Sequence, residues 1–280
     1  MIENIHTLLV SCQDERGLIN KITHQIFTHG LNIILMREFV EEETNTFFMR
    51  CEMSGQLDKS VLFNSLKSVL EKPLHLVINP KSKKDIVIYV TKEHHCLSDL
   101  LIRNHYGELN ANIRCVIGNY ADLGDLAERF SIPFVHITHE NKSRTAFEDE
   151  LLKKTLEFNP DYVVLAKFMR ILSPYFVERF ENKIINIHHS FLPAFIGANP
   201  YRQAYQRGVK LIGATSHFVN NNLDEGPIIT QEVMPVDHNF TVKRLVKAGH
   251  EIEKQVLAKA CHLIFEDRVF VSGNKTVVFG

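Results

Sequence analysis

Two hydrophobic regimes divide the chain. Before Asn79 the apolar runs are short and change period from one to the next. "IHTLLVSC" is strand-like. "GLINKITHQIFTHG" has helical spacing, which puts Leu18, Ile22, Ile26 and Phe27 on one side, and Gly30 follows as a C-cap. "NIILMREFVEE" and "TFFMRCEMS" alternate, which predicts a hairpin across residues 41–45. "KSVLFNSLKSVLEK" reads as a second helix and "LHLVIN" as a last strand. The order strand, helix, strand, strand, helix, strand is ferredoxin-like βαββαβ.

The stretch "NPKSKKD", residues 79–85, is polar, contains Pro80 and separates the two regimes, as a linker does. It predicts a first domain over 1–80, a linker at 81–84 and a second domain over 85–280. The second domain opens with "DIVIYVT", a near-continuous apolar run of the kind shown by parallel strands covered on both faces. Strand-like "IRCVIGN", "PFVHI", "DYVVLAK" and "KIINIHH" then alternate with helical runs around "LGDLAERF", "TAFEDELLKKTLEF" and "SPYFVERF". That alternation predicts an open α/β sheet. A helix "YRQAYQRG", strands "LIGATSHFV" and "GPIITQEV", a long amphipathic helix over 241–265 and a hairpin "RVFVSGNKTVVF" follow.

Composition alters this picture little. The 280 residues are 45% hydrophobic and 23% charged with a net charge of -1, as in an ordinary globular enzyme. So neutral a chain has no pull toward nucleic acid or an acidic membrane. No apolar run reaches the ~18 residues of a membrane helix, and the N-terminus lacks a signal-peptide pattern. Cys12, Cys51, Cys96, Cys115 and Cys261 show neither CxxC nor disulfide-framework spacing, which predicts reduced thiols and a cytoplasmic protein.

Candidate chemistry gathers at "NIHHSFLPAFIGANP", residues 186–200. In "KIINIHH" a period of two puts Ile184, Asn186 and His188 on one side, where the strand gives out. Open α/β sheets bind ligands at that end. An amide and an imidazole aimed at one spot suit a developing oxyanion; a strand-end cap beside a solvated histidine is the other reading. Asp224, in "NNNLDEGPI", is a turn residue between two apolar strands and becomes chemical only if the fold carries it to His188. "EHHC", residues 93–96, offers metal-ligand types, but consecutive residues on a short turn rarely converge on one ion, and no second pair has metal spacing. The chain has no HExxH, GxSxG or GxGxxG.

The run "NIHHSFLPAFIGANPYRQAYQRGVKLIGATSHFVNNNLDEGPIITQE" resembles the formyl-tetrahydrofolate-dependent transferase and hydrolase family. Its N-x-H strand end, S-[LF]-L-P run, glycine and later D-x-G loop are all present, and the similarity extends over 85–280. The resemblance implies an open, mostly parallel sheet of the formyltransferase (Rossmann-like) type. By match, Asn186, His188 and Asp224 correspond to the family's catalytic trio. Asn186 and His188 would hold the oxyanion formed when the N10-formyl group of 10-formyltetrahydrofolate is attacked. Asp224 would take the nucleophile's proton, directly or through water, and orient His188. The run "KFMRIL", Lys167 with Phe168, Met169, Arg170, Ile171 and Leu172, resembles the segment that holds the pteridine ring. Asn220, Asn221, Asn222 and Leu223 resemble the folate-binding loop. The resemblance implies no metal, and no cofactor beyond the tetrahydrofolate that the substrate carries.

Nucleotide-using transferases of this family carry a glycine-rich turn after the first strand, whose amides hold the acceptor's phosphate. Here that turn reads "TKEHHCLSDLL", residues 91–101, with no glycine. Formyl chemistry without that nest implies water as the nucleophile, giving formate and tetrahydrofolate. Formate would supply purine biosynthesis and the one-carbon folate pool would be balanced. Transfer to an amine, or non-catalytic sensing of an amino acid or folate, are the competing expectations. "CQDERGLINKI", residues 12–22, resembles an ACT domain, which implies an amino-acid effector near Asp14, Gly17 and Leu18 and a homo-oligomer.

Overall fold

Alternation along β1 (Ile5–Gln13) sends Leu8, Val10 and Cys12 to one face and Leu9 to the other. Helices α1 (Leu18–Thr28) and α2 (Lys59–Val69) bury Leu18, Ile22, Ile26, Leu62 and Leu66 against the first face. With β2 (Asn32–Glu41), β3 (Thr46–Ser54) and β4 (His75–Ile78), β1 forms a four-stranded sheet in the order β2-β3-β1-β4. Its pairings are antiparallel, the ferredoxin-like arrangement expected. Asp58 caps α2 by accepting from the N–H groups of Ser60 and Val61, each at 3.0 Å. Gly30 follows α1 at φ 73, a left-handed conformation that glycine adopts at little cost. Phe27 departs from the expected stripe and is 76% exposed. At about 100° per residue it lies about 180° round the helix from Leu18.

The computed structural model describes residues 4–70, 75–193 and 200–280. The ends of the predicted second helix and fourth strand (71–74), and Gly197 of the formyl motif, lie outside these. The chain separates into two units. The first holds Met1–Ser82 together with Asp267–Phe270 and Val277–Gly280. Phe270 and Phe279, from the two ends of the last hairpin, pack with Leu9 and Phe48 on the second face of the small sheet.

The second unit is built on a seven-stranded sheet. Its strands are β5 (Lys84–Val90), β6 (Ala111–Gly118), β7 (Phe134–His136), β8 (Tyr162–Leu165), β9 (Ile184–His188), β10 (Leu211–Phe218) and β11 (Ile228–Pro235). They lie in the order β11-β10-β9-β8-β5-β6-β7. The pairings are parallel from β9 to β7, and antiparallel at β9–β10 and β10–β11. Between the strands run α3 (His95–His105), α4 (Gly124–Glu128), α5 (Arg144–Glu157), α6 (Pro174–Arg179) and α7 (Pro200–Arg207), and after them α8 (Val242–Phe265). Val87, Tyr89, Val163, Leu165 and Ile184 pack under α5 and α6. The alternate residues Ile86, Ile88, Val164 and Ile185 are equally buried, which produces the continuous apolar runs. Helix α8 packs on β9, β10 and β11 and against α3 and α7. Hairpin β12 (Val269–Ser272) and β13 (Lys275–Val278) closes the order.

Helix α3 has no counterpart in the element reading of the sequence. Cys96, Leu97, Leu100 and Leu101 form its buried stripe at helical spacing, but the polar run that opens it reads as a turn. Ser143 and Thr241 cap α5 and α8, so the long helix starts one residue inside the predicted range. Among the described residues, no helix is long and apolar enough to cross a membrane.

Candidate active site

Strand β9 ends beside β8 at the carboxyl edge of the parallel strands. Across the antiparallel junction, Asn186 stands opposite His217 and His188 opposite Thr215. The period of two therefore groups Asn186, His188 and His217 on one side. His217 Nδ1 meets the Phe218 carbonyl at 2.8 Å, which requires an N–H there. His217 Nε2 lies 3.2 Å from Asn186 Nδ2.

The loop after β10 completes the group. Phe218 N–H donates to the Pro227 carbonyl at 2.9 Å, which folds the loop back on the strand. Gly226 is required at that crossing, because a Cβ there would stand 1.8 Å from the Phe218 oxygen. Asp224 takes φ 58, a left-handed conformation that aspartate tolerates better than most residues. Its Oδ2 lies 3.1 Å from His188 Nδ1 and its Oδ1 3.6 Å from His217 Nε2. Burial alone would raise the Asp224 carboxyl, but the two histidines outweigh it and hold the group well below the usual carboxylate range. His188 is 6% exposed, and its Nε2 is buried without a hydrogen-bond partner. A buried polar atom without a protein partner calls for an explanation, and a reacting role is one.

Residues 84–261 match the formyl transferase family. A formyltetrahydrofolate deformylase of Haemophilus influenzae is 52% identical over 271 residues, 97% of this chain and 98% of that protein. A crystal structure of a formyltetrahydrofolate deformylase from Pseudomonas syringae superposes with a TM-score of 0.93 at 37% identity, covering 99% of this chain and 94% of that one. Another, from Burkholderia mallei, gives 0.92 at 36% identity and 99% coverage of both chains. The chain belongs to the formyltetrahydrofolate deformylase family.

The segment expected to hold a pteridine in such a deformylase is divided by the fold. Phe168 is core, with its ring 5.2 Å from that of Tyr89. Met169, Arg170, Ile171 and Leu172 line a cavity of about 320 Å³ with Arg144, Phe147 and Glu148. Buried Glu148 props this wall by accepting from Ser173 N–H, at 3.1 and 3.2 Å, and from the Ser173 hydroxyl. Arg144 bonds Glu148 at 2.9 Å and the Ile171 carbonyl at 3.0 Å. Asn220 caps its own loop, its Oδ1 accepting from Asn222 N–H at 3.0 Å, and Asn221, Asn222 and Leu223 are exposed. In the first unit Gly17 begins α1 at φ 84, Leu18 is buried, and Asp14 pairs through its backbone with Asn45.

The residues that sequence reading passed over are His217, His189, Tyr201 and Glu253, while Lys167 opens the run matched to the pteridine segment. Glu253 is fully buried on α8. Its Oε1 accepts from the Tyr201 hydroxyl at 2.5 Å, and its Oε2 from His95 Nε2 at 2.8 Å, with Lys167 Nζ 3.2 Å away. Burial alone would raise the Glu253 carboxyl, but His95, Lys167 and Tyr201 hold it at about 2. The signal was a lone glutamate in the buried stripe Leu245, Gly249, Ile252, Glu253, Val256. Lys167 sits at φ 62, strained for a long side chain, and is 5% exposed.

The fold also brings Glu93 and His95 beside His250, and His95 and Cys96 beside Glu253, within metal-ligand reach. The His95 and His250 rings are stacked 3.9 Å apart at 6°, so their lone pairs lie in parallel planes and do not converge. Glu253 is already engaged by Tyr201, His95 and Lys167. This group is a polar network committed to itself.

Proposed function

We propose that the protein hydrolyses 10-formyltetrahydrofolate to formate and tetrahydrofolate, with Asn186, His188 and Asp224 as the reacting constellation. The observation that carries this is the His188–Asp224 pair, with His188 Nε2 left open beside Asn186, in a chain 52% identical to a deformylase over nearly its full length. Water attacks the formyl carbon, and the carbonyl oxygen gains charge. Asn186 Nδ2 and a doubly protonated His188, its charge paired with Asp224, donate to that oxygen. Asp224 takes a proton from the water. Two histidines make Asp224 a weak base, so it holds this proton only briefly and passes it to N10 as the tetrahedral intermediate collapses.

The cavity of about 320 Å³ lined by Met169 to Leu172 supports a pteridine site there, and the exposed loop residues Asn221 to Leu223 support contact with the rest of the folate. The reading calls for no cofactor of the protein's own and places the formate it releases at the service of purine biosynthesis. All five cysteines are free and buried, which fits a reducing cytoplasm. The first unit's βαββαβ fold supports an ACT role, with an amino-acid effector at the turn of Asp14, Gly17 and Leu18 and a homo-oligomer. The test is formate release from 10-formyltetrahydrofolate by pure protein with no amine present. Release confirms hydrolysis. Consumption that requires an added amine assigns a transferase instead.

A further inference from the structure

A primary amine attacks a formyl carbon far more readily than water does, so a hydrolase of this kind must keep amines out by shape. Next to the reacting group, the His189 ring stacks on His188 with centroids 5.0 Å apart at 19°. The Tyr201 ring follows, 6.2 Å from that of His189. Tyr201 rests directly on α8 at Gly249, where a Cβ would stand 2.1 Å from its ring. Its hydroxyl is tied to Glu253 at 2.5 Å, and Glu253 is anchored by His95 from α3 and Lys167 from the loop after β8. Four elements thus fix one aromatic ring in place, and none of these bonds involves Asn186, His188 or Asp224. A fully buried carboxylate is costly unless its partners are held, so a carboxylate tied to Tyr201, His95 and Lys167, one ring away from His188, calls for a purpose.

We propose that Tyr201, seated on Gly249 and tied to Glu253, is the specificity-determining residue that leaves room for water at the formyl carbon and shuts out larger nucleophiles. This rests on the hydrolytic reading above. Burial and the Glu253 carboxylate push the Tyr201 phenol far above its ordinary range, so the hydroxyl stays a donor and the tie persists. If the ring is removed, an amine can react. Its nitrogen bonds the formyl carbon, the carbon–N10 bond breaks, and the amine's proton goes to N10. Atoms and charge balance without a co-reactant.

The test gives full-length protein 10-formyltetrahydrofolate with and without methoxyamine, and quantifies formate, the N-formyl product and tetrahydrofolate against an enzyme-free control. Wild type is expected to yield formate equal to tetrahydrofolate. Tyr201→Ala empties the seat, and the Cβ of Gly249→Ala evicts the ring. Both are expected to raise the fraction of formyl passed to methoxyamine by about tenfold or more, the scale of discrimination that shape alone supplies. Gly249→Ala also favours helix and keeps α8 folded if Tyr201→Ala fails to fold. A folded variant of either kind that still gives formate, with no more N-formyl product than wild type, overturns the proposal. Wild type that gives no formate at all overturns the hydrolytic reading instead.

Discussion

His188 Nδ1 stands 3.1 Å from Asp224 Oδ2, although one residue ends β9 and the other sits in a loop after β10. The pairing fixes the His188 ring, leaves its Nε2 as the open atom, and keeps Asp224 ionised.

Asp224→Asn keeps the size and shape of the side chain but cannot accept a proton. Turnover at saturating substrate is expected to fall about 10²- to 10⁴-fold. Binding of a non-hydrolysable folate analogue should change little, because the loss falls on the transition state. Glu225 is exposed, so Glu225→Gln should be near wild type. Formate release and analogue binding, measured side by side, decide it; a normal Asp224→Asn with a dead Glu225→Gln would assign the loop to the other carboxylate.

His188→Ala removes one oxyanion donor and the partner of Asp224. Turnover is expected to fall about 10²- to 10³-fold. Near-normal formate release from a folded His188→Ala protein would leave His188 as a structural partner of Asp224 only.

Gly226→Ala puts a methyl 1.8 Å from the Phe218 oxygen, so the loop must move off β10 and carry Asp224 away. A stability loss of about 1–3 kcal/mol is expected for this overpacking, with a larger proportional loss of turnover. Urea unfolding and formate release on the same samples test it. Unchanged values in both would mean that the crossing is not as tight as the geometry requires.

Acid should destabilise the fold in two stages. Burial first, then the Lys167 cation and His188, lower His189 from 6.5 to about 4. Between these values the unfolded chain holds a proton that the folded chain refuses, so stability falls as pH drops from 6.5 to 4. Glu253, held at about 2 instead of 4.5, contributes fully above 4.5 and loses its contribution as pH falls further toward 2. His189→Leu should make the upper stage shallower, leaving the part due to His75 and His250, which burial also lowers, and should leave the lower stage. The Tm measured across this range reads both, and an unaltered upper slope in His189→Leu would remove His189 from the account.

Cutting the chain at the seam should expose what the first unit covers. In a fragment of residues 83–280, Phe270 and Phe279 lose Leu9 and Phe48. The fragment is expected to hydrolyse substrate, since the trio lies within it, but to aggregate. Phe270→Ser with Phe279→Ser should restore solubility. Light scattering and formate release check this, and an amino-acid response that persists in the fragment would exclude an effector at Asp14, Gly17 and Leu18.

Both folds were legible because their evidence is local. The βαββαβ unit follows from short runs whose period switches between two and 3.6, and the parallel sheet from continuous apolar strands alternating with helices. The failures were also local. Helix α3 hid behind Glu93, His94 and His95, which read as turn chemistry. Phe27 was assigned to a stripe that its angle around the helix excludes.

Asn186 and His188 were pairable from sequence because two residues apart on a strand must share a side. Asp224 was not, since nothing in a turn aspartate states which strand its loop folds back upon. The family resemblance supplied that link ahead of the structure, and the structure supplied the reason: antiparallel β10 and the Gly226 crossing return the loop to the end of β9. The same limit hid the Glu253 network entirely. His95, Lys167, Tyr201 and Glu253 come from four separate elements, and only the packing of α3, α7 and α8 over the sheet brings them within bonding distance. The sequence determined periodicity, element order and the one strand-borne pair; tertiary structure decided every contact between side chains on different elements, because distance in space is set by packing and not by position along the chain.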